Sequence, residues 1–205
     1  MPRNGHRSPY AWIQRRFSSL EHASTGLEHM GQINVEHRFL NVQDEAKVST
    51  LRHILSATSD PTLVFVNTAD KVMDVASRLQ AAGVNVAPLC RLVPPQERLH
   101  CLEEFGKTDG GLDVVVCTDM ASRGLDTTLV KHVVQLDFAR SAVDFIHRSG
   151  RTGRQGRRGT VTSLVSEGEV ALASAMEKAV NEGSRLDGSF SRKRSFRKRV
   201  RKGRM

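Results

Sequence analysis

Residues 113–126 read Asp113-Val114-Val115-Val116-Cys117-Thr118-Asp119-Met120-Ala121-Ser122-Arg123-Gly124-Leu125-Asp126. The apolar run is unbroken. It is entered from the turn sequence Asp109-Gly110-Gly111 and left through Thr118-Asp119. A short strand that alternates apolar and polar residues has one wet face, whereas a continuous run predicts a strand covered on both faces, as in a parallel sheet. Ligands of open α/β sheets collect at the carboxyl ends of such strands, so chemistry is expected in the polar residues just after Cys117.

The same logic extends in both directions. Val35, His37 and Phe39 alternate with polar residues and predict an edge strand. Asp44 is placed to cap a helix with Val48, Leu51, Ile54 and Leu55 on its apolar face. Leu63–Val66 is a second continuous apolar strand. Thr68 or Asp70 caps a helix carrying Val72, Val75, Ala76 and Leu79, which stops at Gly83. Val84–Ala87 is a weak strand, and Pro95 opens a helix with Leu99, Leu102 and Phe105 as its apolar set. His132–Leu136 is a strand, Ser141 caps a helix Ala142–Arg148, Thr160–Val165 is the last strand and Glu169–Val180 the last helix. Strict alternation from Gln32 to about Glu182 predicts one α/β domain with a mostly parallel sheet. Residues 1–31 then form an extension or linker remnant, and 183–205 a flexible basic tail.

Composition narrows the function classes. No stretch of the 205 residues approaches the roughly 18 apolar residues of a membrane-spanning helix. The net charge of +9 is matched by the nine bases of residues 192–205, a segment without acids, so attraction to polyanions concentrates in the tail. Cys90, Cys101 and Cys117 are odd in number and lack metal-ligand spacing, which predicts no disulfide framework, no metal site and a reducing compartment. The first twenty residues carry Arg3, Arg7, Arg15 and Arg16 and no acid. That composition fits either an organelle transit peptide, of a mitochondrion or plastid, or the remnant of an upstream domain.

His147-Arg148-Ser149-Gly150-Arg151-Thr152-Gly153-Arg154 repeats arginine every third residue among small residues. Crowding like charges beside two glycines is costly for a structural loop, whereas forked guanidiniums on a close-approaching backbone match phosphate oxygens. Gly106-Lys107-Thr108 imitates the end of a phosphate loop, but Cys101 stands where that pattern needs glycine and a helix precedes it, so it reads as a helix end.

The arginine segment resembles motif VI of DEAD-box RNA helicases, His-Arg-x-Gly-Arg-x-Gly-Arg. Residues 115–126 resemble motif V, with its Thr-Asp and Arg-Gly-x-Asp. Leu63-Val64-Phe65-Val66-Asn67-Thr68 is similar to motif IV, and Val133-Val134-Gln135-Leu136-Asp137-Phe138 to the motif after V, with Ala139 where proline is frequent. The resemblance covers the C-terminal half of a two-domain engine and implies a RecA-like three-layer sandwich. By it, Arg151 and Arg154 reach the γ-phosphate of ATP, while Gly124 and Asp126 belong to the nucleotide site, Asp126 at the ribose. Thr118, Asn67 and Arg98 contact RNA; Arg123, His147 and Arg148 serve the interface between domains. One segment departs. Where the family has His-Gly-Asp followed by Gln-x-x-Arg, this chain has Cys90-Arg91-Leu92-Val93-Pro94-Pro95-Gln96-Glu97-Arg98, so Arg98 is kept but Pro95 replaces glutamine and the glycine is missing.

The 205 residues contain no phosphate loop, no Asp-Glu-Ala-Asp and no Ser-Ala-Thr. The resemblance therefore implies ATP with Mg²⁺ held mainly by an N-terminal RecA-like domain, in cis or in trans, with RNA as the other partner and no membrane. This chain alone is expected to be inactive as an ATP hydrolase. Two other readings stand beside the RNA helicase: a stand-alone RNA-binding or regulatory module that docks on a helicase without catalysis, and a DNA helicase of the same superfamily.

Overall fold

A computed structural model describes residues 34–107, 111–123, 125 and 127–183. Six strands occur among them: β1 (Val35–Asn41), β2 (Thr62–Phe65), β3 (Val86–Leu89), β4 (Val114–Cys117), β5 (His132–Gln135) and β6 (Gly159–Val165). Five α-helices lie between and after them: α1 (Lys47–Ser56), α2 (Ala69–Ala81), α3 (Pro95–Glu104), α4 (Ala142–Ser149) and α5 (Val170–Asn181). The sheet order is β1-β6-β5-β2-β4-β3, and every pairing is parallel. β1 is an edge, as its alternation predicts, and β2 and β4 are buried along their whole length.

Odd and even residues of the central strands serve different cores, which is why these strands read as unbroken apolar runs. Val64 and Val66 join Val116 and Val134 under α1 and α2, while Leu63 and Phe65 join Val115, Cys117 and Val133 on the other face with α3's Cys101. A third cluster packs α4 and α5 beside the β1 end through Phe138, Phe145, Ala173 and Met176. In α2, Val72, Val75 and Leu79 are fully buried, each stabilising by about 1.5–3 kcal/mol relative to exposure. Thr68 caps this helix, its Oγ1 accepting from the Lys71 amide, and Gly83 ends it at φ +80°. Ser141 caps α4 in the same way, accepting from the Asp144 amide at 3.1 Å.

Three expectations are corrected. Asp44 does not cap α1. It opens a 3-10 turn, Asp44–Ala46, that runs directly into the helix, and its carboxylate accepts instead from Ser166 Oγ at 2.6 Å and faces the buried Lys47 ammonium at 3.1 Å. The third strand lies at Val86–Leu89 rather than Val84–Ala87, since Val84 N is still bonded to Leu79 O in the helix-ending turn. In α3, Leu99 and Leu102 face solvent, 57% and 36% exposed, and the inward residues are Cys101 and Phe105. Gly106 follows at φ +77°, so the Gly-Lys-Thr sequence does begin at a helix end. All three cysteines are buried and free, and burial pushes the Cys101 thiol up to about 11 and the Cys117 thiol up further. No described helix is long and apolar enough to cross a membrane. The expected extension 1–31 and nearly all of the tail 183–205 lie outside the described residues.

Candidate functional site

The carboxyl ends of β2, β4 and β5 release Asn67, Thr118-Asp119 and Asp137 at one end of the sheet. Parallel pairing sets these strands in step, Phe65 beside both Cys117 and Gln135. One guanidinium ties the three ends together. Arg148, on the last turn of α4, is 1% exposed and sits over the Phe65 ring, 5.3 Å from its centroid. Its Nε donates to Asp119 Oδ1 at 2.6 Å and its Nη2 to Asp119 Oδ2 at 2.7 Å, a bidentate ion pair. Nη2 also donates to Asn67 Oδ1 at 2.8 Å, and Nη1 to Asp137 O at 2.7 Å and Gln135 Oε1 at 3.4 Å. Asp137 completes the frame, accepting from the Asn67 amide at 2.8 Å and from Lys71 Nζ at 2.5 Å.

The side chain expected to serve an interface between domains is thus used within this one. All five donors of Arg148 are engaged within the domain, bridging the residues that follow β2 and β4 and the end of β5. The other members of its motif differ. His147 and Arg154 are exposed, and Arg154 Nε donates to Gly150 O at 2.8 Å. Arg151 is half-buried, and its Nε is buried without a hydrogen-bond partner among the described residues. Burial, and then the charge of Arg154, lower the pKa of Arg151 from the ordinary arginine value. An under-satisfied guanidinium beside a second one is what an anion would relieve. Thr152 anchors the loop from below, its buried Oγ1 donating to Val130 O at 2.8 Å.

A groove of about 520 Å³ opens at the same strand ends, lined among others by Asn67, Arg91, Arg98, Thr118, Asp119 and Met120. The three residues expected to contact RNA, Asn67, Arg98 and Thr118, therefore share one surface. Arg123 is exposed in the turn after β4, which Ser122 closes by donating from Oγ to Asp119 O at 2.9 Å. Gly124 and Asp126 lie outside the described residues. A second groove, of about 510 Å³, lies at the amino ends of the strands around Arg52, Asp60 and Asp113, and holds none of the motif residues. No cluster of three or more His, Cys, Asp or Glu that could hold a metal ion occurs among the described residues.

The sequence did not single out Lys71, Gln135 or Thr152. A lysine on a helix and a threonine in a loop carry no signal of their own. Gln135 stood in a quoted strand, and a glutamine buried mid-strand is the one sign there of an internal polar partner.

An all-parallel six-stranded sheet with helices on both faces and an arginine loop after α4 defines a RecA-like α/β domain. The chain belongs to the helicase conserved C-terminal domain family, whose profile it matches over residues 46–156. It is 36% identical to DEAD-box ATP-dependent RNA helicase 22 of Arabidopsis thaliana over 206 aligned positions, 98% of this chain and 35% of that protein. It is 30% identical to the DEAD-box helicase CshA of Bacillus subtilis, over 83% of this chain and 34% of the relative. The chain thus spans about a third of the length of the curated relatives it matches. Among solved structures, the C-terminal domain of the DEAD-box protein Dbp5 superposes with TM-score 0.63 at 26% identity, covering 73% of this chain and 87% of that one. Escherichia coli SrmB, solved bound to the regulator RraA, gives 0.60 at 32%, covering 67% and 81%.

Proposed function

We propose that this chain works as the second RecA-like domain of a DEAD-box ATP-dependent RNA helicase. In this reading it binds the RNA backbone in the groove of Asn67, Arg98 and Thr118 and presents Arg151 and Arg154 to ATP. The observation that carries the reading is the convergence of that groove and the Arg148 frame on one end of the sheet. Through Arg148, Asn67 and Asp119 are hydrogen-bonded to the residue three positions before Arg151. A shift of the arginine loop is then felt at the RNA groove, and RNA in the groove biases the loop.

ATP with Mg²⁺ would be held mainly by a first RecA-like domain, in cis or in trans. The residues here fit the anion but not the metal: Arg151 has an unpartnered buried Nε, and no described acid cluster is available. The bound nucleotide supplies a γ-phosphoryl group on which negative charge builds during transfer. Arg151 and Arg154 supply fixed forked donors that stabilise such charge. Thr118 supplies a hydroxyl and Arg98 a guanidinium for phosphates of RNA, contacts that position a strand without reading its sequence. A module without catalysis is not favoured by likeness to DEAD-box helicases across nearly the whole chain.

The test is RNA binding by the chain, followed by fluorescence anisotropy. Arg98→Ala and Thr118→Ala are each expected to weaken binding of single strands of unrelated sequence to the same degree. Unchanged affinity in both variants would remove the groove from the RNA path.

A further inference from the structure

We propose that Arg91 is a phosphate-binding residue of this groove, contacting the same RNA strand as Arg98. The proposal deepens the RNA reading given above and rests on it.

Arg91 and Arg98 both line the groove, and among the described residues neither guanidinium has an ion pair or hydrogen bond. The acids of the groove do not neutralise them: Asp119 is engaged by Arg148 through both oxygens, and Asp70 sits in the first turn of α2, among that helix's free amides. Two uncommitted guanidiniums facing one concave surface repel each other, and a phosphate between them removes that cost.

The backbone at this point is built to carry a side chain. Cys90 and Val93 are 0% and 5% exposed, and the turn between them is closed by Val93 N donating to Cys90 O at 3.2 Å. Arg91 is therefore held between two anchors while its side chain stays exposed. The only described non-glycine residue with positive φ is Gln155, so Arg91 occupies this turn without backbone strain. In the His-Gly-Asp pattern that this segment resembles, its place belongs to glycine. In the same segment Pro95, which has no side-chain donor, stands in place of the glutamine of Gln-x-x-Arg. Arg91 brings five donors to the groove from which Pro95 has removed some. A fork aimed at phosphate oxygens is indifferent to base identity, so the gain is in affinity and salt dependence, not in sequence preference.

The experiment measures affinity of the full chain for a labelled oligouridine across a range of KCl, with Arg91→Ala, Arg91→Gln and Arg91→Lys beside Arg98→Ala and Thr118→Ala. Arg91→Ala and Arg91→Gln are expected to bind roughly five- to tenfold more weakly. The slope of log affinity against log salt should be shallower by about 0.7, the change expected when one phosphate of a single strand is no longer neutralised. Arg91→Lys should keep the slope. Melting temperatures should not move, because the guanidinium has no partner among the described residues. If Arg91→Gln melts like the parent and retains its affinity and slope while Arg98→Ala and Thr118→Ala weaken binding, the Arg91 proposal is overturned and the RNA reading stands. If no variant weakens binding, both are overturned. Weaker binding by Arg91→Gln with an unchanged salt slope also overturns the phosphate assignment, since it would indicate stacking or an indirect effect.

Discussion

Arg148 and Arg151 stand three residues apart in one motif and do opposite work. Arg148 is sealed into five hydrogen bonds and an ion pair; Arg151 keeps a nitrogen without a partner. Removing Arg148 leaves the Asp119 carboxylate, 35% exposed, and the buried Gln135 amide oxygen without their donor, at a cost of about 1–3 kcal/mol. Arg148→Ala should therefore lose about that much stability in urea unfolding. Arg148→Lys should lose a large part of it, because an ammonium cannot serve Asp119 bidentately and reach Asn67 and Asp137 as well. Arg151→Lys and Arg154→Lys should stay within about 0.5 kcal/mol of the parent. A mild Arg148→Ala would show that the frame is not what holds the strand ends. The difference between these arginines was only half legible. The resemblance separated Arg148, at the interface between domains, from Arg151 and Arg154 at the γ-phosphate, but not its burial: α4 runs through Ser149 and sets Arg148 one turn beyond Phe145 on the buried stripe. The chain leaves the helix at Gly150, and Arg151 escapes that stripe. The buried set Ala142, Phe145 and Arg148 has helical spacing, a signal that was available in the sequence.

At the scale of elements, the strand after the arginine loop limits where that loop can sit. A Cβ on Gly159 would lie 2.3 Å from Thr152 Oγ1 and 2.6 Å from the Gly153 amide nitrogen. One of those neighbours is backbone, so Gly159→Ala should displace the loop, weaken the Thr152–Val130 bond and destabilise by about 1–3 kcal/mol. Thermal melting together with amide exchange at Arg151–Arg154 would check it; an alanine variant with parental protection there would contradict this packing. On the neighbouring edge strand, His37 of β1 stacks on Phe145 at 5.5 Å, and neither ring nitrogen has a hydrogen-bond partner among the described residues. Burial lowers its pKa from 6.5 to about 4. The unfolded chain thus binds this proton at higher pH than the folded one, so the stability it affects is fully present above about pH 6.5. Stability should fall as pH drops from there toward about 4, by roughly 3 kcal/mol at most, and this contribution should vanish in His37→Leu. Identical pH profiles for parent and variant would contradict it. Elements with two buried faces or an explicit cap were legible from sequence, as β2, β4 and α2 show. The inward face of α3 was not, because leucine at 99 and 102 outranked Cys101 in hydrophobicity while the packing chose the smaller residue.

At the scale of the whole molecule, the proposed function makes this domain one half of a two-domain engine. Its parallel sheet brings the groove of Asn67, Arg98 and Thr118 and the arginine loop to one end, and the Arg148 frame connects them. In the proposed function the triphosphate is held mainly by a first RecA-like domain, so ATP turnover by this chain alone, measured with and without RNA, is expected to be undetectable. Repeated motifs at recognisable spacing made this assignment legible. The frame was not, because hydrogen bonds spanning 81 residues, such as Arg148 to Asn67, leave no trace in local pattern.

In the proposed function Arg151 and Arg154 stabilise charge on a transferring phosphoryl group. That role is tested most directly by kcat at saturating RNA for Arg151→Lys and Arg154→Lys, in the chain joined to a first RecA-like domain, with melting temperature measured alongside. A fork that meets the γ-phosphate is worth roughly 10³–10⁵ in rate, about 4–7 kcal/mol of barrier. A loss on that scale is expected in at least one of the two variants, with melting unchanged. Rates within a few-fold of the parent for both lysine variants would contradict that role.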